Sequence, residues 1–352
     1  MRATAGENLD AKPIVSILGV EAGAIFSAIL SLVGLFAAVA LAGRARVYQG
    51  TLVSGPERIG WGRRPWPLLA VMGSGLFVWY WVQAGFIAYV RAKAARAGNP
   101  PAQFDLSSLS TGDWAFLAVV PGAVAFIVLL AGGLAAGDGQ LRRLGLGVAQ
   151  IPVGLRKGLI ACVIILPPTY LVTWLSENLY QMLHYRHEQE HELLKAMGES
   201  SGRGARLMLI LGATVVAPLF EELLFRGHVQ TLIRRGLIAL GVSPPRAIQP
   251  VDPGSVTVLS QINGPPEGLP QAQPVIAARS IAWQTWAAIL LTSGLFALVH
   301  PMWTWPSIFF LALGLGYTYE RTGNLWASMT VHCAFNSVST FLYLFSLRFG
   351  GH

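Results

Sequence analysis

Long apolar runs separated by short polar stretches dominate the chain. They lie at about 14–41, 66–90, 114–136, 155–176, 206–233, 281–300, 305–320 and 325–347. A hydrocarbon core about 30 Å thick takes roughly 20 apolar residues as helix, and only helices or closed barrels satisfy their backbone groups inside it. The pattern therefore predicts an all-α, polytopic membrane helix bundle of about eight transmembrane helices. The runs at 281–300 and 305–320 are the least regular, because Pro301 and Pro306 break the chain between them. The first run is too long for the apolar part of a signal peptide and reads as a retained helix.

Polar punctuation divides this bundle into N-terminal transmembrane helices over 1–176, an interfacial amphipathic segment over 177–204, and a C-terminal core over 205–347 that holds the expected active-site cavity. Within the last part, 242–278 carries Pro244, Pro245, Pro250, Pro253, Pro265, Pro266, Pro270 and Pro274 among Gly, Gln and Ser. Such a composition cannot bury a core and predicts an extramembrane loop. In 177–204, Leu179, Met182, Leu183, Leu193, Leu194 and Met197 recur at helical spacing among charges, the pattern of a helix lying in the membrane interface.

Composition agrees: 53% of residues are hydrophobic and only 12% charged, about half the charged share of a soluble domain. The net charge of +8 sits mainly in connections, at Arg44, Arg46, Arg58, Arg63 and Arg64 among others, where anionic lipid head groups are the natural partner and nucleic acid is not. The expected location is the cell (inner) membrane. Lys and Arg are shared too evenly between the two sides to set orientation. Cys162 and Cys333 both fall in predicted spans, which rules out a disulfide framework.

Against this background a few ionisable residues stand out. Ala217 to Thr231 reads Ala-Pro-Leu-Phe-Glu-Glu-Leu-Leu-Phe-Arg-Gly-His-Val-Gln-Thr, so Glu221, Glu222 and Arg226 lie inside a membrane-compatible run. A charge at mid-bilayer costs about 2.5–3.5 kcal/mol on insertion scales, so these groups must pair or face a wet cavity. Glu222 and Arg226, one turn apart, suit a buried ion pair, which leaves Glu221, about 100° away, free to point into a cavity. His300 ends a span just before Pro301, and His332 and Asn336 share one face of the last span. Singly, His300 suits a capping or core role, and His332 with Asn336 suits interhelical hydrogen bonding. Together the four offer a base, proton-handling groups and neutral donors for an oxyanion, a set that fits hydrolysis. A water between Glu221 and His300 can be deprotonated and attack a peptide carbonyl while His332 and Asn336 donate to the tetrahedral oxygen. His228 reads as a helix-end group near the interface, Glu320 and Arg321 as a surface turn, and Glu21 as an isolated acid of the first helix.

Glu221-Glu222-Leu-Leu-Phe-Arg226, Phe296 to His300 and His332 to Asn336, in that order, resemble the three motifs of the CPBP family, the type II CAAX-prenyl endopeptidases and their bacterial relatives. Gly227 after Arg226, and Gly314-Leu-Gly-Tyr-Thr-Tyr-Glu320-Arg-Thr-Gly-Asn-Leu-Trp326, match the family's wording, and the resemblance covers about 180–346. It implies an intramembrane endopeptidase, whose eukaryotic members remove three residues from prenylated CAAX proteins. It also implies a peptide or protein substrate, lipidated or plain, with Glu221 and His300 activating water, His332 and Asn336 as the oxyanion site, and Glu222 with Arg226 in support. Metal dependence has been described in the family too, with Glu221, His300 and His332 the corresponding zinc ligands. Two histidines, one of them beside an amide, are a thin zinc set, and the reading without a cofactor is preferred. The alternatives are a non-catalytic membrane protein that binds a peptide, as in bacteriocin immunity, and a proton-coupled transporter.

One motif competes. His187-Glu188-Gln189-Glu190-His191 spells H-E-x-x-H, which on a helix sets two imidazoles one turn apart as in zinc proteases. Glu190 and Glu192 interrupt the apolar setting such helices need, so the segment reads as a solvated amphipathic helix. Replacing His187 and His191 together by Gln is accordingly expected to leave peptide cleavage largely intact. Loss of activity together with one equivalent of bound metal would move the active site to this segment.

Overall fold

The computed structural model describes residues 66–97, 109–136, 139–185, 192–200, 202–239 and 283–349. Among these, the long elements are all helices: α1 Trp66–Arg96, α2 Thr111–Ala135, α3 Ile151–Met182, α4 Glu192–Glu199, a continuous helical run α5 over 203–239, α6 Trp283–Leu298, α7 Trp305–Thr322 and α8 Leu325–Phe349. Seven of the eight predicted runs coincide with helices. The run at 14–41 with Glu21, the Pro-rich stretch 242–278, and His187 with His191 lie outside the described residues. Four stretches are long and apolar enough to cross a membrane: Leu68–Arg96, Thr111–Ala135, Gln140–Met182 and Arg203–Leu237. The protein is an integral membrane protein.

Local chemistry sets the helix ends. Ser110 and Asp113 form a capping box that starts α2. Proline stands in the first turn of α3 and of α7, where its missing N–H costs nothing. Gly323, at φ 58°, closes α7 in the left-handed conformation that favours glycine, its N–H donating to the Tyr319 carbonyl. α8 follows at once and packs against α3. That contact is close because α3 presents Gly154 and Gly158 one turn apart. A Cβ added at Gly154 would stand 2.5 Å from Cβ of Trp326, and one at Gly158 2.5 Å from Cβ of Thr330. Small residues at this spacing let membrane helices approach backbone to backbone.

α5 is the organising element. It packs against α2 and α8 along its first half and against α6 along its second. Phe220, Leu223, Leu224 and Phe225 of α5 join Leu129 of α2, Phe296 of α6, Ala312 and Tyr319 of α7, and Met329 of α8 in one core. Two stretches of α5, Gly212–Val216 and Leu223–Gln230, are wound as π-helix. Each inserts extra backbone per turn and rotates whatever follows it. Glu221 and Glu222 lie in the short α-helical piece between them.

Two sequence expectations are corrected here. Glu320 is not in a surface turn. It is buried on the last turn of α7, accepting from Gln230 Nε2 at 2.8 Å and from Arg234 Nη1 at 2.9 Å, while Arg321 donates to the Tyr317 hydroxyl on the same helix. The helix ends only at Gly323, three residues later. His228 is fully buried rather than interfacial, its Nδ1–H donating to the Leu223 carbonyl at 2.8 Å, five residues back, as the π winding allows. Because both partners of the Arg234–Glu320 pair are almost wholly out of solvent, Glu320→Ala is expected to cost about 3 kcal/mol of stability, read as an earlier melting transition in detergent. An unchanged transition would show that the pair does not hold α5 to α7.

Candidate functional site

The site is assembled on α5, α6 and α8. Glu222 is completely buried: it forms an ion pair with Arg226, whose Nη1 lies 3.1 Å from Oε1, and accepts two hydrogen bonds, from His332 Nδ1 at 3.0 Å to the same oxygen and from the Ser328 hydroxyl to Oε2. A carboxylate paired to arginine only accepts, so His332 carries its proton on Nδ1. This bond turns Nε2 toward Glu221, whose Oε2 is 3.7 Å away and whose side chain is 24% exposed. The two adjacent carboxylates thus differ as their helical directions require, one sealed in the core and the other at its edge.

Arg226 is as buried as its partner. Its Nη2 donates to the Ala312 carbonyl of α7 at 3.1 Å, and its guanidinium lies 4.6 Å from the centre of the Phe296 ring. Phe296 has no exposed surface. Its ring packs edge-on against Phe225 at 4.9 Å, and touches His300 at 4.8 Å and His332 at 5.7 Å between centroids. Its carbonyl also accepts from Nδ1 of His300 at 2.7 Å, which leaves the second nitrogen of that ring for other partners. The loop carrying His300 is fixed from outside as well, by Trp305 Nε1 donating to the His300 carbonyl at 2.8 Å.

Asn336 sits one turn beyond His332, and its Nδ2 donates to the Ala213 carbonyl of α5 at 2.8 Å. One amide N–H is therefore engaged and one remains. Tyr170 of α3 supports this turn of α8, donating to the Phe335 carbonyl at 3.1 Å with Ser339 Oγ at 3.0 Å. The structure thus brings Glu221, Glu222, Arg226 and His332 together around Phe296 and sets the His300 ring against Phe296 as well. Among the described residues no hydrogen bond or ion pair joins His300 to Glu221. An open cleft between Gly133 and Gln150 is lined by none of these residues.

The zinc alternative is testable on this arrangement. Among the described residues no three His, Cys, Asp or Glu side chains converge as ligands around one point. As placed, Glu221, His300 and His332 do not fit a zinc ion.

Ser328 was not singled out from the sequence, and Phe296 entered only as the first residue of the second motif. Ser328 lies one helical turn before His332, a spacing that could have flagged it, whereas the bond it makes to Glu222 joins residues 106 apart and has no local signal.

These features define an all-helical membrane protein with a carboxylate–histidine site buried between its helices. Residues 203–338, which hold all three motifs, match the family described as Type II CAAX prenyl endopeptidase Rce1-like. Over this segment the chain is similar to that family, a family of membrane proteases. No curated protein and no solved structure matches the chain.

Proposed function

We propose that the protein is an intramembrane endopeptidase in which Glu221 and His300 activate a water molecule, acting on a membrane-associated peptide of the prenylated CAAX type. The observation that carries this reading is the His332 ring held between Glu222 at 3.0 Å and Glu221 at 3.7 Å, with Asn336 one turn further on. Glu221 accepts a proton from water, and the water oxygen attacks the scissile carbonyl carbon. The proton then passes to the leaving amine as the carbon–nitrogen bond breaks. With Nδ1–H donated to Phe296, His300 offers its second nitrogen as an acceptor that orients the water. His332, when protonated on Nε2, and the remaining N–H of Asn336 donate to the tetrahedral oxygen. Glu222 and Arg226 touch no substrate. They hold His332 and the helix in register.

A farnesylated CAAX-type peptide and its unprenylated counterpart, incubated with purified protein in lipid nanodiscs, test the substrate class. The expected result is faster cleavage of the farnesylated peptide, and equal rates would remove the lipid from recognition. Asn336→Ala is expected to lower turnover of that peptide by about 10²-fold, the scale on which a single oxyanion donor acts, with little change in melting temperature. Turnover near wild type would exclude Asn336 from the oxyanion site.

A further inference from the structure

The hydrogen bond of Asn336 has a cause in the backbone of α5. In the π-wound stretch Gly212–Val216 the N–H of Ala217 donates five residues back, to the Gly212 carbonyl. The next bond in this register would run from residue 218 to the Ala213 carbonyl, and residue 218 is Pro218, which has no N–H. The alternative helical donor to Ala213, four residues on, is Ala217, already engaged with Gly212. A carbonyl left without a partner inside a membrane is costly, and the partner it has is the Nδ2 of Asn336 at 2.8 Å. The carbonyl opened by Pro218 is thus closed by a side chain of the proposed oxyanion site.

We propose that Pro218 is a positioning residue: by withholding its N–H it hands the Ala213 carbonyl to Asn336, which docks α8 on α5 and fixes the Asn336 amide against α5. One N–H of Asn336 is held by the carbonyl, so the direction of the other is set. The same bond keeps the wider π turn open, and that turn determines the angle at which Glu221, three residues beyond Pro218, leaves the helix. Proline in this position serves the geometry of the site and not the strength of the helix.

The proposal rests on the roles given above to Glu221 and Asn336, and its test separates the two. Pro218→Ala supplies an N–H that competes with Asn336 for the Ala213 carbonyl. With the farnesylated peptide as probe, P218A is expected to lower kcat by about 10–100-fold, the effect of a displacement of about 1 Å at a catalytic group. KM should stay within about twofold, and the melting temperature should be unchanged or higher, because a helical hydrogen bond has been added. A loss of packing alone would instead lower stability and activity together. The double variant P218A/N336A should be no slower than the slower single variant, since both act on one contact. Wild-type kcat in P218A, multiplying effects in the double variant, or a P218A protein that no longer folds would each overturn the proposal. If the wild type leaves the farnesylated peptide intact, the proposed function has failed, and the structure of P218A in nanodiscs decides the positioning claim. The expected structure has 212–216 tightened to α-helical spacing with Asn336 released from Ala213. An unchanged π turn would contradict it.

Discussion

Glu221→Gln is expected to reduce cleavage of a membrane-bound peptide by at least about 10²–10⁴-fold while the protein still folds and inserts. The substitution keeps the volume of the side chain and its capacity for hydrogen bonds, but an amide cannot take a proton from water, and general-base catalysis is worth about that factor. Glu221 is only partly buried and, among the described residues, has no ion-pair partner shorter than its 3.7 Å approach to His332, so little stability should go with it. Melting in detergent is the control. A variant that melts like wild type and cleaves at the wild-type rate would remove Glu221 from the mechanism.

Arg226→Ala is expected to act in the opposite proportion, through the fold. Glu222 has no exposed surface and shares Oε1 between Arg226 and His332. Taking away the guanidinium leaves a carboxylate in the core of a membrane bundle with one cationic partner removed, a loss of about 3–5 kcal/mol. The same change releases the Ala312 carbonyl and empties the space over the Phe296 ring. Low yield, a clearly lower melting temperature and loss of activity should appear together. An Arg226→Ala protein that melts like wild type but is inactive would show that Arg226 belongs to the chemistry and not to the strut.

The helices were legible because bilayer thickness imposes a length that sequence displays directly, and seven apolar runs reappear as helices within a few residues. The Glu222–Arg226 pair was legible for a similar reason, since it is a local contact one turn apart. What spacing could not show is every bond that spans the fold: Ser328 and His332 to Glu222, Arg226 to Ala312, and Gln230 and Arg234 to Glu320. Glu320 was misread because it stands just before the last span, while its partners lie 86 and 90 residues earlier. The π-wound stretches were also invisible. The first ends two residues before Pro218, and both upset the simple angular arithmetic that sequence reading applies to a run such as 203–239. Glu221 and Glu222 nevertheless diverge as expected, because the piece of α5 that carries them is α-helical.

The central claim is that water activated by Glu221 hydrolyses a peptide bond without a metal ion. Mass spectrometry of a farnesylated CAAX-type peptide, incubated in chelator with nanodiscs holding wild-type protein or Glu221→Gln, tests it most directly. The account predicts release of the intact C-terminal tripeptide by the wild type, undiminished by chelator, and uncleaved peptide with the variant. A wild-type protein that binds the peptide but returns it uncleaved, or one that cleaves only when zinc is restored, would contradict it.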